Sequence, residues 1–281
     1  MRPVSEQVIL ITGATDGLGR RLARELAARG ATLLLHGRSQ PRGEDTLSEI
    51  RDATHNRKLT YYRADFSSLD EVRQLARRVR DENDRLDVLV NNAGRGGSPD
   101  DHNRELSRDG YELRFAVNYL APFLLTHLLL PLLKASAPSR IINVSSIGQH
   151  AIDFQDVMLE RGYDAFRAYR QSKLAQIMFT FDLADELKGT GVTVNALHPA
   201  SMMNTKIVLE NFDYTMSRVE DGVEATAHLV TDPKLDKVSG RFYNQSHEGR
   251  AEEQAYDAGA RLQLRTLSEQ LTGIVRSGRS S

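Results

Sequence analysis

The sequence predicts an α/β fold: a doubly wound parallel sheet of about seven strands with helices on both faces. Three observations predict it. Short β-branched or Leu-rich runs alternate with longer amphipathic ones, the pattern of βαβ units. The strand-like runs, such as Val8-Ile9-Leu10-Ile11 and Thr32-Leu33-Leu34-Leu35, are apolar on both sides of the pleat, as a sheet buried on both faces requires. A glycine-rich turn joins the first strand to the first helix.

In chain order, strands are predicted over Gln7–Thr12, Ala31–His36, Leu59–Arg63, Asp87–Val90, Ile141–Ser145, Val192–Leu197 and Arg241–Asn244. Helices are predicted over Leu18–Arg29, Thr46–Ala53, Leu69–Glu82, Arg104–Lys134, Tyr163–Lys188 and Val219–Leu229. Three segments fall outside the alternation: Gly148–Ala168, Ala200–Ser217 and Glu248–Gly273. No Pro/Gly/Ser-rich linker divides the chain, so one domain over residues 1–275 is expected. Arg276–Ser281 is Ser/Gly/Arg-rich and is expected to be disordered.

Composition narrows the function. The 281 residues are 40% hydrophobic and 27% charged, a globular balance. With 37 Lys and Arg against 38 Asp and Glu, the formal charge is −1, which gives no electrostatic reason to bind nucleic acid or an anionic membrane. Cysteine is absent, which excludes disulfides, thiolate metal sites and Cys nucleophiles, and fits a reducing, cytoplasmic location. The eight histidines form no HxxxH or HExxH pattern, so no metal site is expected. The most apolar run, Tyr119–Leu133, is broken by Thr126, His127 and two prolines and reads as a buried core helix rather than a membrane span. Met1–Gln7 lacks the apolar core of a signal peptide and leads straight into a strand.

The turn Thr12-Gly13-Ala14-Thr15-Asp16-Gly17-Leu18-Gly19 has the position required of a dinucleotide-phosphate cradle. Glycine permits the tight turn and close backbone approach, and the helix N-terminus offers free N–H donors to a pyrophosphate. At the end of the second strand stands His36-Gly37-Arg38-Ser39, with no carboxylate before Glu44. An acidic residue there would favour NAD by holding ribose hydroxyls. Arg38 instead suits a 2′-phosphate, so NADP(H) is expected in preference to NAD(H); the alternative is a solvated surface arginine.

A second constellation carries chemistry. The strand Ile141–Ser145 leads into a Ser145-Ser146 pair, and Tyr169 and Lys173 follow at i and i+4 on one helical face. A free phenol titrates near pH ~10 and is a poor acid or base at neutrality, but a nearby ammonium lowers that value. Ser146 can polarise a carbonyl oxygen while Tyr169 delivers a proton and a hydride arrives at carbon.

These residues resemble the short-chain dehydrogenases/reductases over roughly Gln7 to Asn244. The resemblance rests on the TGxxxGxG turn at Thr12–Gly19, Asp65, Asn91-Asn92-Ala93-Gly94, Asn118, Ser146, Tyr169, Lys173 and His198-Pro199. It implies a single-domain Rossmann fold and a carbonyl reductase or alcohol dehydrogenase. Asp65 would meet the adenine, the following Phe66 would also belong to the cofactor site, and Asn92, Ala93 and Gly94 would lie along the ribose. Asn118 would order a relay water to Lys173, and Lys173 would also hold the nicotinamide ribose. Gly13, Thr15, Asp16, Gly17, Leu18 and Gly19, with Pro199 and Thr205, would complete the cofactor site. Within the family the chain looks like the retinol-dehydrogenase and WW-domain-oxidoreductase branch. The interval from Ser146 to Tyr169 is long, Arg38 sits where that branch carries Arg, and Ala251–Leu271 resembles its final helix.

There are departures. Ala200 replaces the usual glycine after Pro199, and Asn204 stands where a threonine is usual, with Thr205 one place later. Both put the cofactor contacts of that loop in doubt. Substrate contacts are expected from Arg95, Gln149, His150, Met202 and Met203, with Phe212 and Tyr214 adding to a partly apolar pocket. Each of these side chains could equally pack its own loop. Retinoid, steroid, polyketide and quinone-like carbonyls all remain compatible. Family members are often dimers or tetramers, and the apolar Leu124–Leu133 stretch is consistent with that. Two rival readings are a cofactor-binding regulator with vestigial chemistry, suggested by Ala200, and an epimerase or dehydratase with tightly held NAD.

Overall fold

A computed structural model describes residues 1–274; the expected tail 276–281 and the last residue of the expected domain lie outside the described residues. The chain runs β1 (Val8–Ile11), α1 (Gly17–Ala28), β2 (Thr32–Gly37), α2 (Gln40–Thr54), β3 (Leu59–Arg63), α3 (Leu69–Glu82) and β4 (Val88–Asn91). A continuous helical stretch follows, made of α4 (Leu113–Phe115), a π-helical turn (Ala116–Leu120) and α5 (Ala121–Ala135). Next come β5 (Ser139–Val144), α6 (Ala165–Glu186), β6 (Val192–His198), the short α7 (Lys206–Leu209) and α8 (Val219–Thr231). The chain ends with β7 (Arg241–Asn244), β8 (His247–Glu248) and α9 (Ala258–Thr272).

The sheet order is β3-β2-β1-β4-β5-β6-β7-β8, parallel through β7. β1 pairs with β2 on one side (Val8 opposite Thr32) and β4 on the other (Leu10 opposite Leu89). The chain therefore reverses its direction of sheet growth next to β1. That switch point opens a crevice at the carboxyl ends of the strands, where α/β sheets take ligands.

Both faces are covered, as the two-sided apolar strands require. One core packs Leu10, Leu89 and Ile141 against α3, α5 and α6. The other packs Ile9, Ile11 and Val90 against α1 and α8. α1 buries Leu18, Leu22, Ala23, Leu26 and Ala27, a stripe at helical spacing, and starts where the Asp16 carboxylate accepts the Gly17 N–H at 2.7 Å. The stretch Leu113–Ala135 is long and apolar enough to cross a membrane, but most of it is buried against its neighbours as a core helix.

Several elements differ from the sequence expectation. The helix expected from Arg104 begins at Leu113, because Gly110 at φ +84° turns the chain and Leu106 bridges Glu112. The Glu112 carboxylate then accepts the Phe115 N–H at 2.6 Å and starts the helix there. α2 begins at Gln40 rather than Thr46, with Ser39 as its cap and Pro41 in the first turn, where a missing N–H is harmless. A short 3₁₀ turn, Val4–Glu6, precedes β1. Gln245, at φ +56°, turns the chain after β7 into β8, a two-residue antiparallel strand.

Candidate active site

The glycine turn is held by its neighbours. Thr12 Oγ1 accepts the N–H groups of Asn92 (2.9 Å) and Ala93 (3.0 Å). The Asn92 amide donates back to the carbonyls of Thr12 (2.8 Å) and Gly13 (3.1 Å), so its side chain clamps the turn. Gly13 has φ +66°, and a Cβ there would lie 2.8 Å from Ala93 Cα; one on Gly19 would lie 2.3 Å from the Gly13 carbonyl oxygen. Side chains here would fill a cradle that the fold keeps clear. Leu18 is buried in the core beneath it. The second carboxylate oxygen of Asp16 pairs with Arg42 at 2.9 Å.

His36 is a contributor that sequence reasoning missed. It is buried, its Nδ1 accepts the Gly13 N–H at 3.4 Å, and its Nε2 faces the Ala64 carbonyl at 3.0 Å. Burial pushes its imidazole down to about 4, so it is neutral at pH 7, with Nδ1 the acceptor and Nε2 the donor. The signal was a lone polar residue ending an apolar strand. Phe66 stacks on it, with centroids 4.2 Å apart, so the Phe66 ring belongs to the core.

The ends of β2 and β3 place the remaining cofactor candidates. Gly37 packs against Thr15, where a Cβ would lie 2.8 Å from Thr15 Cγ2. Arg38 is exposed beside it and has no hydrogen bond or ion pair among the described residues. Burial raises the Asp65 pKa, but hydrogen bonds from Ser67 and the charges of Arg108 and Arg38 outweigh it and hold the carboxyl below its usual value.

The loop after β6 brings Thr205 to the glycine turn. Asn204 is exposed, whereas Thr205 is buried and its Cγ2 would lie 3.2 Å from a Cβ on Gly17. The threonine one place later thus reaches the glycine turn. Pro199 packs toward Gly222, and Ala200 is buried in the α1/α8 core.

Ser146, Tyr169 and Lys173 come together at the end of β5. Ser146 Oγ accepts the Gly148 N–H at 3.0 Å and lies beside the half-buried Tyr169. Ser145 instead donates to the Lys173 carbonyl at 2.7 Å, which leaves Ser146 as the serine that faces the tyrosine. Lys173 is 5% exposed; its Nζ donates to the Val144 carbonyl (2.9 Å) and the Gln176 side-chain oxygen (3.1 Å) and lies 5.8 Å from the Tyr169 ring centre.

The electrostatics differ from the sequence expectation. Burial raises the Tyr169 phenol, with Ser146 opposing it, rather than the ammonium lowering it. Burial pushes Lys173 down to about 7. Both groups are driven toward neutrality, since burial disfavours either charge. His198, at the end of β6, is lowered to about 4, first by burial and then by the Lys173 charge.

Asn118 sits in the middle of the π-helical turn, a widened turn of the kind found at functional sites. Its Oδ1 accepts the Arg95 N–H (2.7 Å), and its Nδ2 donates to the Arg95 carbonyl (3.0 Å) and Ser172 Oγ (2.9 Å). The side chain is committed to bridging the β4 loop and α6. A Cβ on Gly94 would lie 3.4 Å from Asn118 Oδ1 and 3.7 Å from Lys173 Nζ, so this glycine keeps open the space between them.

On the substrate side the expected contacts separate. The Gln149 amide donates to the Ser146 carbonyl (2.9 Å) and accepts the Glu252 N–H (2.7 Å), so it ties the catalytic strand end to the C-terminal segment. His150 Nδ1 faces the Ala151 carbonyl at 2.8 Å. Met203 corrects the expectation: it is buried in the core between α1 and α8, with Sδ against Gly222, because the loop turns inward there. Met202 remains partly exposed, at φ +46°. The Arg95 side chain pairs with Glu105.

Aromatic rings form the upper wall. Phe166 lies parallel to Tyr169 at 6.5 Å and meets Phe212 edge-on at 5.9 Å; Phe212 meets Tyr214. A buried Arg114 that sequence reasoning missed ties the surrounding loops together. It donates to the Gly96 carbonyl (2.7 Å), the Tyr163 hydroxyl (2.8 Å) and Asp101 (2.8 Å), and Tyr163 donates to Glu112 (2.8 Å).

The family described as short chain dehydrogenase matches residues 7–214. The chain belongs to the short-chain dehydrogenase family. Among the relatives of this short-chain dehydrogenase is retinol dehydrogenase 13 of Mus musculus, 38% identical over 285 residues, covering 95% of this chain and 84% of the relative. Retinol dehydrogenase 11 of Homo sapiens is 35% identical over 278 residues, covering 95% and 86%. An uncharacterised protein from Mycobacterium paratuberculosis superposes with a TM-score of 0.78 at 31% identity, covering 95% of this chain and 94% of that one. The Pseudomonas aeruginosa RhlG/NADP active-site complex gives a TM-score of 0.70 at 26% identity, covering 87% and 97%. A nicotinamide cofactor is typical of short-chain dehydrogenases, and the clear glycine cradle fits one.

Proposed function

We propose that this short-chain dehydrogenase is an NADP(H)-dependent carbonyl reductase, or the reverse alcohol dehydrogenase, acting on a ketone or aldehyde of a partly apolar small molecule. The observation that carries the reading is the meeting of Ser146, Tyr169 and Lys173 at one strand end, beside the glycine cradle. A nicotinamide cofactor, when bound, supplies the hydride that reaches the carbonyl carbon, or takes it up in the reverse direction. Gly13, Gly17 and Gly19 would admit its phosphates, and Lys173 would hold its ribose. Ser146 polarises the carbonyl oxygen. Tyr169, protonated because burial raises its phenol, donates its proton to that oxygen, and the carbonyl becomes an alcohol. Lys173 stands next to Tyr169 and favours the phenolate left behind. Asn118 keeps the β4 loop beside Lys173.

The cofactor preference rests on Arg38, which is exposed at the end of β2. Exposed Ile147, Ile207, Leu209, Tyr214 and Met216 favour an apolar substrate body, and the names of the relatives favour a retinoid-like one. A cytoplasmic, homo-oligomeric enzyme is part of the same proposal; its cysteine-free composition is compatible with a reducing compartment.

The purified protein should oxidise NADPH in the presence of some member of a carbonyl panel. Tyr169→Phe should lower kcat by roughly 10²-fold or more while leaving cofactor binding intact. Turnover that survives this change overturns the assignment. Arg38→Leu should weaken NADPH binding but not NADH binding; equal use of both cofactors by the wild type overturns the NADP(H) preference.

A further inference from the structure

The proposed chemistry does not account for Gln176. It lies one turn beyond Lys173 on α6, in the otherwise apolar run Leu174-Ala175-Gln176-Ile177-Met178, and is 1% exposed. Lys173 Nζ donates to its side-chain oxygen at 3.1 Å. With Lys173 as the donor, the amide presents its oxygen to Nζ and turns its NH₂ group away. That NH₂ is buried and has no partner among the described residues. An unpaired buried donor is destabilising, and an apolar side chain would avoid it. The fold accepts this penalty at a residue whose other end grips Lys173. The helix around it is pinned as well: Thr180 Oγ1 donates to the Gln176 carbonyl and accepts the Asn143 amide, both at 2.8 Å.

We propose that Gln176 is a positioning residue for Lys173: with the Val144 carbonyl it fixes Nζ between Gly94 and Tyr169, so that the ammonium faces the phenol that moves the proton. The proposal rests on the acid/base reading of Tyr169 and Lys173 given above. Two other titratable groups face Lys173, Tyr169 from the same helix and His198 from the end of β6. Neither supplies a fixed negative charge, so the two oxygen acceptors carry the anchoring.

The test compares wild type with Gln176→Met, similar in volume but without the acceptor, and Gln176→Glu, which keeps it. Gln176→Met should lower kcat about tenfold or more, with the carbonyl KM changed far less. The titration midpoint of Lys173, followed by ¹³Cε lysine NMR and assigned with Lys173→Met, should fall by about one pH unit in Gln176→Met and rise in Gln176→Glu. Gln176→Glu should keep kcat closer to the wild type. Should Gln176→Met fail to fold, Gln176→Asn, whose amide is withdrawn by one methylene, carries the same comparison. An unmoved Lys173 midpoint together with a wild-type kcat overturns the role of Gln176, even if Tyr169→Phe abolishes turnover. A shifted midpoint in a protein that reduces no carbonyl supports the anchoring and overturns the proposed reaction instead.

Discussion

Lys173 shows how a single buried side chain trades stability for chemistry. Its pKa falls from 10.5 to about 7 through burial. Between those values the unfolded chain holds a proton that the native chain has released, so native stability rises with pH across the window. Below pH ~7 the penalty is fully present, and above ~10.5 it vanishes because both states are neutral. Lys173→Met removes this dependence. The difference in Tm, variant minus wild type, should therefore fall as pH is raised from 7 to 10, as checked by thermal melts across that range. A constant difference would show that Lys173 is charged in the native state. Tyr169, pushed the other way by burial, is held toward its protonated form and is a ready proton donor. Both residues were legible from the YxxxK spacing, but the direction of their shifts was not, because desolvation depends on neighbours that are distant in sequence.

Among the elements, the β1–α1 turn tolerates the least change. Gly19→Ala would set a Cβ against the Gly13 carbonyl at 2.3 Å and the Asn92 amide at 2.5 Å, and both groups are held in place. The substitution should cost about 1–3 kcal/mol of stability and weaken cofactor binding by tenfold or more, read by melting and by fluorescence titration with NADPH. Gly162, in the insert before α6, has φ +59° with nothing within 4 Å of its Cβ position. Gly162→Ala should cost only about 1 kcal/mol, from backbone strain, and leave cofactor affinity unchanged. Equal effects would mean that the crowding at Gly19 relaxes. The insert itself is fastened by Tyr163 to Glu112 and Arg114. No local pattern shows this network, because its members come from three separate segments.

Across the chain, one buried arginine ties β5 to the end of α8 and, through Asp236, to Met1. Arg140 on β5 is 1% exposed and donates to the carbonyls of Leu229 (2.8 Å), Val230 (3.1 Å) and Asp232 (2.6 Å) at the end of α8. It also pairs with Asp236, which receives the N-terminal ammonium at 2.5 Å. Arg140→Met leaves four acceptors without their donor and should cost about 3–5 kcal/mol, a fall in Tm on the order of 10 °C. A loss below about 1 kcal/mol in denaturant titration would show that water replaces the guanidinium. Arg140 lies just outside the strand expected over Ile141–Ser145, and a charged side chain in a sequence gives no sign of the depth at which it is buried.

Local physics written in the chain was enough for the alternation of strands and helices, the glycine turn, and the Tyr169 and Lys173 pair on one helical face; the choice of Ser146 over Ser145 entered through the family resemblance. Apolar period, glycine placement and i,i+4 spacing are properties of neighbouring residues, and they hold whatever the rest of the molecule does. Long-range packing settled the remainder. It turned Met203 into the core, engaged both ends of Gln149, and brought Thr205 rather than Asn204 to the glycine turn. It also made His36 a neutral clamp on Gly13 and set Gln176 against Lys173. Each of these depends on which loop meets which strand end, and on how far water is excluded where they meet. Contacts between distant segments and the dielectric they create exist only once the chain has folded.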